Sequence, residues 1–80
     1  MLISEIAADL IVDASGFNCP IPLLRAKKAL QSIAKGQVLK VISTDSTSMD
    51  DFKIFAGNAG HELLAMEEID SKYYFWLKKQ

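Results

Sequence analysis

Residues 9–24 read DLIVDASGFNCPIPLL and set the start of the fold. Residues 9–14 are rich in apolar, branched side chains and predict a short strand, and Ser15-Gly16 predicts the turn that ends it. Pro20 and Pro22 lack backbone N–H groups, and the first turn of a helix is where that loss costs least. The stretch therefore predicts a strand, a surface loop and the first turn of a helix.

The next part of the chain predicts a second strand and a second helix. Gly36 separates the first helical pattern from residues 38–42, which read VLKVI and are rich in branched side chains. Ser48, with Asp51 three residues later, predicts an N-cap followed by an acidic first turn. We expect this helix to end within residues 57–60, where two glycines stand.

Two further strands complete the chain. Residues 61–69 and 72–78 carry strand-forming side chains, and Asp70-Ser71 predicts a tight turn between them. The predicted order is βαβαββ. The chain contains no repeat, low-complexity tract or linker, so we expect a single domain over residues 1–80.

Each predicted helix has one apolar side. At about 100° per residue, one side of the first helix holds Leu23, Ala26, Ala29, Leu30, Ile33 and Ala34. One side of the second holds Met49, Phe52, Phe55, Ala56 and Ala59. Both sides need the same sheet, which predicts an α/β (α+β) two-layer sandwich with a four-stranded mixed sheet and both helices on one face. Right-handed crossovers lead us to expect that the strand order reverses between the helices.

The composition is that of an ordinary globular domain. Half of the 80 residues are hydrophobic, and nine basic residues against ten acidic ones leave a net charge of −1, which indicates no special partner. A core of this size folds alone but is too small to enclose a deep active site and a large cofactor. We therefore expect chemistry at the surface and no cofactor.

Sequence features also bear on location and metal binding. The chain lacks a run of about 20 apolar residues, and residues 1–9 lack the basic start and long apolar stretch of a signal peptide, so we expect a cytoplasmic protein without a membrane partner. A single cysteine and a single histidine exclude an internal disulfide and a self-contained zinc or iron–sulfur site of the usual ligand number. No metal is expected.

Cys19 is the candidate reactive residue. A helix start presents backbone N–H groups without intrahelical partners and the positive end of the helix dipole, and both favour a thiolate. The dipole is worth about 0.3–1 kcal/mol, so it enriches the thiolate without making it dominant. Arg25 and Lys27 lie within roughly two helical turns of the cysteine by spacing and favour the thiolate further.

Simpler interpretations of the same residues remain open. A free cysteine is often a small buried side chain, although a loop with two prolines between a strand and a helix lies at the surface. His61 acts as a base for Cys19 only if the fold brings the two together. Arg25 and Lys28 form either a solvated helix face or a docking patch for an acidic partner, beside an accessible Leu24.

The aromatic side chains are expected mainly in the core and on the sheet. Tyr74 and Trp76 share one strand face, so an aromatic platform for nucleic acid is an alternative. The strong positive charge typical of that function is missing from a chain of net charge −1, so we expect no direct nucleic-acid partner.

Several short motifs follow one another along the chain. They are Asp13-Ala14-Ser15-Gly16-Phe17-Asn18-Cys19-Pro20-Ile21-Pro22, Lys27-Lys28-Ala29-Leu30, Gly36 with Val38-Leu39, Thr44-Asp45, and Gly60-His61-Glu62-Leu63. Together they resemble the TusA (SirA-like) sulfur-carrier family over roughly residues 10–79. The Asp-x-x-Gly-x-x-Cys-Pro-x-Pro start is specific when it falls between a strand and a helix near the start of so short a chain.

The resemblance implies a fold and an activity. The fold is a βαβαββ two-layer sandwich like the C-terminal domain of bacterial translation initiation factor three. The activity is sulfur relay, in which Cys19 accepts a sulfane sulfur from a cysteine desulfurase or another sulfurtransferase, carries it as a persulfide and passes it to the next protein. Family uses of this sulfur include thiolation of transfer RNA, molybdenum cofactor supply and sulfur oxidation.

For such a relay we expect supporting roles around Cys19. The loop supports are Asp13, Gly16, Pro20 and Pro22, and the docking surface is Leu24, Arg25 and Lys28. A small carrier of this kind needs no self-association, so we expect a monomer.

Two departures from the family pattern bear on partner choice. Ile21 stands where the family often has glutamate, which places an apolar side chain next to Cys19 and weakens assignment to the transfer RNA pathway. Asp45-Ser46 stands where Asp-Pro is common. The main alternative is a non-catalytic regulatory or interaction module that uses the exposed first helix. A thiol redox protein is a third hypothesis, and the lack of a Cys-x-x-Cys pair speaks against it.

Overall fold

The computed structural model describes residues 7–18 and 20–80. Its elements are β1 (Leu10–Ala14), α1 (Ile21–Ser32), β2 (Val38–Ser43), α2 (Ser48–Ala59), β3 (Glu62–Ile69) and β4 (Lys72–Lys78). The predicted βαβαββ order is confirmed, with element ends that differ from the expected ones by about one residue.

The four strands form one mixed sheet in the order β1-β2-β4-β3. β1 pairs with β2 in parallel, and β4 pairs with β2 and β3 in antiparallel fashion. A parallel pair needs a crossover between its strands, and α1 supplies it for β1 and β2. β3 runs parallel to β2, and α2 supplies the crossover between them.

Both helices pack on one face of this sheet, as predicted, but the expected reversal of strand order is wrong. From β1 to β2 to β3 the chain advances across the sheet in one direction, and β4 fills the gap between β2 and β3. Successive right-handed crossovers that advance in one direction leave their helices on the same face. A reversal would have placed the two helices on opposite faces.

The core lies between the helices and the helix-facing side of the sheet. Its buried members are Ala26, Ala29, Leu30, Leu39, Val41, Phe52, Ala56, Tyr73, Phe75 and Leu77. The rings of Phe52 on α2 and Phe75 on β4 stack with centroids 4.4 Å apart. This contact attaches α2 to the strand at the interior of the sheet.

Two expectations about the helices are wrong. α1 ends at Ser32, and the extended backbone of Ile33 (ψ 163°) leaves Ala34 exposed instead of on the apolar face. Ser48 is the first residue of α2, and Thr47 occupies the N-cap position. The buried Ser48 hydroxyl lies 2.7 Å from the Ser43 hydroxyl, so a hydrogen bond to β2 replaces the expected cap.

The turns that end α2 and join the last strands match the sequence. Gly60 follows α2 with φ +76°, a left-handed conformation that glycine adopts without a steric penalty. Asp70 and Ser71 have φ values of +50° and +64°, the positive pair of a type I′ hairpin turn.

Neither α1 nor α2 could cross a bilayer, because no helix within residues 7–18 and 20–80 has the necessary length and apolar character.

Phe52→Ala should destabilise the domain by about 3–5 kcal/mol, because it removes a fully buried ring and its stack with Phe75. Trp76 is the single tryptophan and is 2% exposed, so its fluorescence in a urea titration reports unfolding. Ile54→Ala, on the same helix but at a site 62% exposed, is the matched control and should change stability by less than about 0.5 kcal/mol. Equal effects of the two substitutions would contradict this packing.

Candidate functional site

The loop from β1 to α1 holds the candidate site. Cys19 itself lies outside the described residues. The residues on either side of it, Asn18 and Pro20, are both exposed. The loop leaves the carboxyl end of β1 and enters α1 at Ile21, so the sequence prediction of a surface connection is confirmed for the described part of the loop.

Asp13 orders the start of the loop. Its Oδ1 accepts a hydrogen bond from the Ser15 N–H at 3.0 Å. The pKa of the Asp13 carboxyl lies below its ordinary value, because the Ser15 hydroxyl and then the Ser15 N–H donate to it, while the positive charge of Lys72 contributes less. The charged carboxylate therefore holds the turn that follows β1.

Gly16 joins this turn to the neighbouring strand. Its φ of +84° belongs to the left-handed region, and its N–H donates to the Thr44 Oγ1 at 2.9 Å. Phe17 N–H closes the turn by donating to the Ala14 C=O at 3.2 Å. Sequence reasoning did not assign a role to Thr44, although the Thr44-Asp45 motif marked its position. Thr44 directly follows β2, and the parallel pairing of β1 and β2 brings this residue beside the loop.

Backbone hydrogen bonds secure the entry to α1. Ile21 N–H donates to the Asn18 C=O at 2.9 Å, and Leu24 N–H donates to the Pro20 C=O at 3.0 Å. Pro20 occupies the N-cap position and α1 begins at Ile21, so the prediction that the two prolines mark a helix start is confirmed. Pro22 is fully buried, so this ring also anchors the first turn in the core.

A mixed apolar and cationic surface surrounds the loop. Its exposed apolar side chains are Phe17, Ile21 and Leu24. Leu24 is 53% exposed, so the expectation that it is accessible is confirmed. The guanidinium carbon of Arg25 lies 4.2 Å from the Phe17 ring centroid, a cation–π contact that fixes Arg25 over the loop. Lys28, one turn further along α1, is exposed. Phe17 was missed as a surface residue, because an aromatic side chain in a loop gives no periodic signal.

The fold separates His61 from this loop. His61 precedes β3 at the end of the sheet where Glu62 pairs with Lys78, whereas the loop follows Ala14 at the opposite end, in register with Ser43 and Tyr73. His61 Nδ1 accepts from the Gln80 N–H at 3.2 Å, and its ring contacts Phe55. His61 is therefore not a base beside Asn18 and Pro20.

Lys27 also differs in position from what spacing indicated. Its ammonium lies 5.5 Å from the Phe55 ring centroid, so Lys27 faces α2 while Arg25 faces the loop. Spacing along a helix shows how far apart two residues lie along its axis. The direction in which each side chain points depends on its neighbours in the fold.

The aromatic platform proposed as an alternative is not available for base stacking. Trp76 is 2% exposed, and the ammonium of Lys40 lies 5.3 Å and 5.4 Å from the ring centroids of Tyr74 and Trp76. Within the part of the chain that the structure describes, no group of three or more metal-ligating side chains is placed to hold a metal ion.

Comparisons with known proteins bear on this loop and its fold. A family model described as "Sulfurtransferase TusA" matches residues 10–79. The chain is 52% identical to the sulfur carrier protein TusA of Allochromatium vinosum over 85% of this chain and 90% of that protein. It is 35% identical to the putative sulfur carrier protein YrkI of Bacillus subtilis over 90% of this chain and 96% of that protein. The crystal structure of a SirA-like protein from Desulfitobacterium hafniense superposes with a TM-score of 0.76 at 28% identity, covering 86% of this chain and 95% of that one.

Gly16→Ala should destabilise the domain by about 1–2 kcal/mol, because a side chain at φ +84° is strained even though the added methyl group meets no atom within 4 Å. Gly57→Ala is the matched control. It also adds a methyl group in open space but stands inside α2, so it should stabilise by about 0.5–1 kcal/mol. Urea unfolding measures both, and a Gly16→Ala variant as stable as Gly57→Ala would contradict the assigned turn.

Asp13→Ala should cost stability at pH 7 and progressively less as the pH falls. A lowered folded-state pKa means that the carboxylate stabilises the fold above the unfolded-state value near 3.8 and loses that contribution as pH falls through the folded value. Thermal unfolding of wild type and variant at pH 7 and pH 3 checks the sign. A gap in melting temperature that widens in acid would contradict the hydrogen-bonded charge.

Proposed function

Because the chain belongs to the TusA family of sulfurtransferases, we propose that it is a sulfur carrier that holds sulfane sulfur as a persulfide on Cys19. The observation that supports this most directly is the placement of the chain's only cysteine between two exposed residues at the start of α1. A helix start favours the thiolate, which is the form of cysteine that attacks sulfur.

The transfer consists of two thiol exchanges. The Cys19 thiolate attacks the outer sulfur of a donor persulfide, the S–S bond of the donor breaks, and the donor cysteine leaves as a thiolate. An acceptor thiolate then attacks the outer sulfur of Cys19-S-SH, and the Cys19 thiolate is regenerated. Each step exchanges one S–S bond for another, so no external oxidant or reductant is consumed.

A single cysteine suits this chemistry. A second thiol on the same chain would attack the inner sulfur of the persulfide, form a disulfide and release the cargo as sulfide. With one cysteine in 80 residues, the persulfide persists until an acceptor arrives. Partners supply the remaining catalytic groups, in keeping with the distance of His61 from the loop.

The residues around Cys19 keep the loop in one shape. Asp13 and Gly16 secure its first half through Ser15 and Thr44, and Pro20 and the buried Pro22 secure the entry to α1. A rigid loop lowers the conformational entropy lost when the donor and acceptor sulfurs align for attack.

We assign partner docking to Leu24, Arg25 and Lys28, which lie exposed on α1 beside the loop. The donor is a cysteine desulfurase or another sulfurtransferase, and the acceptor is a downstream relay protein with its own reactive thiol. We place this exchange in the cytoplasm and between monomers. Thiolation of transfer RNA is one use of the sulfur, and related sulfur metabolism is another. The apolar Ile21, two residues after Cys19, weakens assignment to the transfer RNA pathway.

Wild-type protein should gain the mass of one sulfur atom when incubated with a cysteine desulfurase, its pyridoxal cofactor and L-cysteine. Intact-protein mass spectrometry with and without reductant measures the gain, which reductant should remove. Cys19→Ser keeps a similar side-chain volume without the thiol and should gain nothing. If wild-type protein that is reactive to alkylation gains no sulfur from several donors, the carrier function is wrong and a non-catalytic interaction module becomes the better interpretation.

A further inference from the structure

The outer edge of β1 offers unpaired backbone groups. β1 is the first strand of the sheet, and among the described residues only β2 pairs with it. Lys79 N–H donates to the Gln37 C=O at 2.9 Å, so Gln37 and, by strand alternation, every second residue after it in β2 point their backbone groups toward β4. The β2 residues between them point toward β1 and bond the register positions of Leu10 and Val12. The N–H and C=O groups of Ile11 and Asp13 therefore point outward.

The two edges of the sheet differ in how open they are to pairing. β3 forms the other edge, and its register with β4 shifts between Leu63 and Ala65. It also carries Glu62, Glu67 and Glu68. Bulges and charges of this kind discourage the addition of another strand. The register of β1 with β2 runs without a shift from Leu10 to Ala14, so β1 is the edge that is able to accept a partner strand.

A positively charged groove runs between this edge and α1. The groove has a volume of about 800 Å³ and is lined by Val12, Arg25, Lys28, Ala29, Gln31 and Ser32. Its two charged residues are both cations. Asp13 on the same strand points to the opposite face of the sheet and is engaged by Ser15, so it does not neutralise them. Anything that binds along β1 on the helix side therefore meets positive charge.

An exposed apolar residue marks the other side of the same edge. Ile11 points to the helix-free face and is 58% exposed, although it stands in the middle of a strand. A neighbouring strand would place a side chain directly beside it, and apolar cross-strand pairs of this kind stabilise a sheet. The edge thus presents cations on one side and an apolar surface on the other.

We propose that β1 binds an extended acidic segment of a partner protein as a fifth strand. Backbone groups of Ile11 and Asp13 pair with the segment, since an extended chain continues the hydrogen-bond pattern of a sheet edge. Alternate side chains of a strand point to opposite faces, so the best segment alternates acidic residues toward Arg25 and Lys28 with apolar residues toward Ile11.

This inference rests on the proposed function, because its biological role would be to bring a relay partner to Cys19. β1 leads directly into the loop that holds this cysteine. A segment paired along β1 and continuing past Ala14 arrives at that loop. Strand addition would therefore bring a relay partner to the cysteine by its backbone, and the charges would select which partner binds.

The test uses Cys19→Ser protein, so that its result is independent of sulfur transfer. The probe is a short capped peptide in which glutamate and valine alternate, and its twin carries lysine in place of glutamate. Two-dimensional NMR with amide hydrogen exchange follows each backbone N–H. We expect the glutamate peptide, and not its twin, to shift the β1 resonances and to slow exchange at the Ile11 and Asp13 amides by about tenfold or more.

Two sets of variants separate the backbone and charge contributions. Arg25→Glu with Lys28→Glu should weaken peptide binding roughly tenfold, while Lys53→Glu, an exposed site on α2 outside the groove, should leave it unchanged. Ile11→Pro removes an outward N–H at an edge position that tolerates proline and should abolish the slowed exchange at the Asp13 amide. The charge variants keep the test valid if the proline variant does not fold.

Several outcomes would overturn the proposal. They are equal binding of both peptides, shifts confined to β3 or α2, or Ile11 and Asp13 amides that are already protected in the free protein. If the mass gain on Cys19 occurs but the peptide does not bind β1, the carrier function stands and strand addition is wrong. If the peptide binds and no persulfide forms, strand addition stands and the carrier function is wrong.

Discussion

Burial of two helices against one face of a single sheet is the constraint from which the architecture follows. The stack of Phe52 on Phe75 places α2 over β4, and Ala26 and Leu30 place α1 in the same buried cluster. A chain of 80 residues with one four-stranded sheet has one core, so both crossovers must deliver their helices to the same side. Right-handed connections achieve this by advancing in one direction, with β4 inserted between the two strands that α2 connects.

The same connections determine where the cysteine loop lies. Parallel β1 and β2 end at the same edge of the sheet, so the residues that follow them are neighbours. Gly16 N–H reaches the Thr44 hydroxyl for this reason, although 28 positions separate the two residues in the chain. The loop is thus tied at Asp13, at Thr44 and at the buried Pro22, while the residues that flank Cys19 remain exposed. A carrier needs this combination, because its sulfur must be reachable by two different proteins and yet held in a repeatable position.

The surfaces around the loop divide by chemistry. Arg25 stacks on Phe17 and stands at the junction of the loop, the outer face of α1 and the groove beside β1. Lys27, two residues along, points toward α2 and takes no part in that junction. A chain with a net charge of −1 therefore presents a local positive surface at the place where partners are expected to arrive. Net charge alone gave no indication of it, since it averages over faces that partners meet separately.

Local pattern in the sequence determined the elements and the position of the reactive residue. Branched residues predicted the strands, Gly60 predicted the end of α2, and Asp70-Ser71 predicted the turn between β3 and β4. Pro20 and Pro22 predicted that Cys19 stands at a helix start. These features depend on backbone dihedral preferences and on side chains a few residues apart. They are therefore readable without knowledge of the fold.

Tertiary structure alone decided what depends on distant pairs. It set the strand order, the hydrogen bond of Ser48 to Ser43 in place of a cap, and the separation of His61 from the loop. It also directed Arg25 and Lys27 to different neighbours, and it left the outer edge of β1 open among the described residues. The physical reason is that a pattern along the chain shows which face of an element is apolar, whereas the residues that meet that face depend on how the strands are arranged.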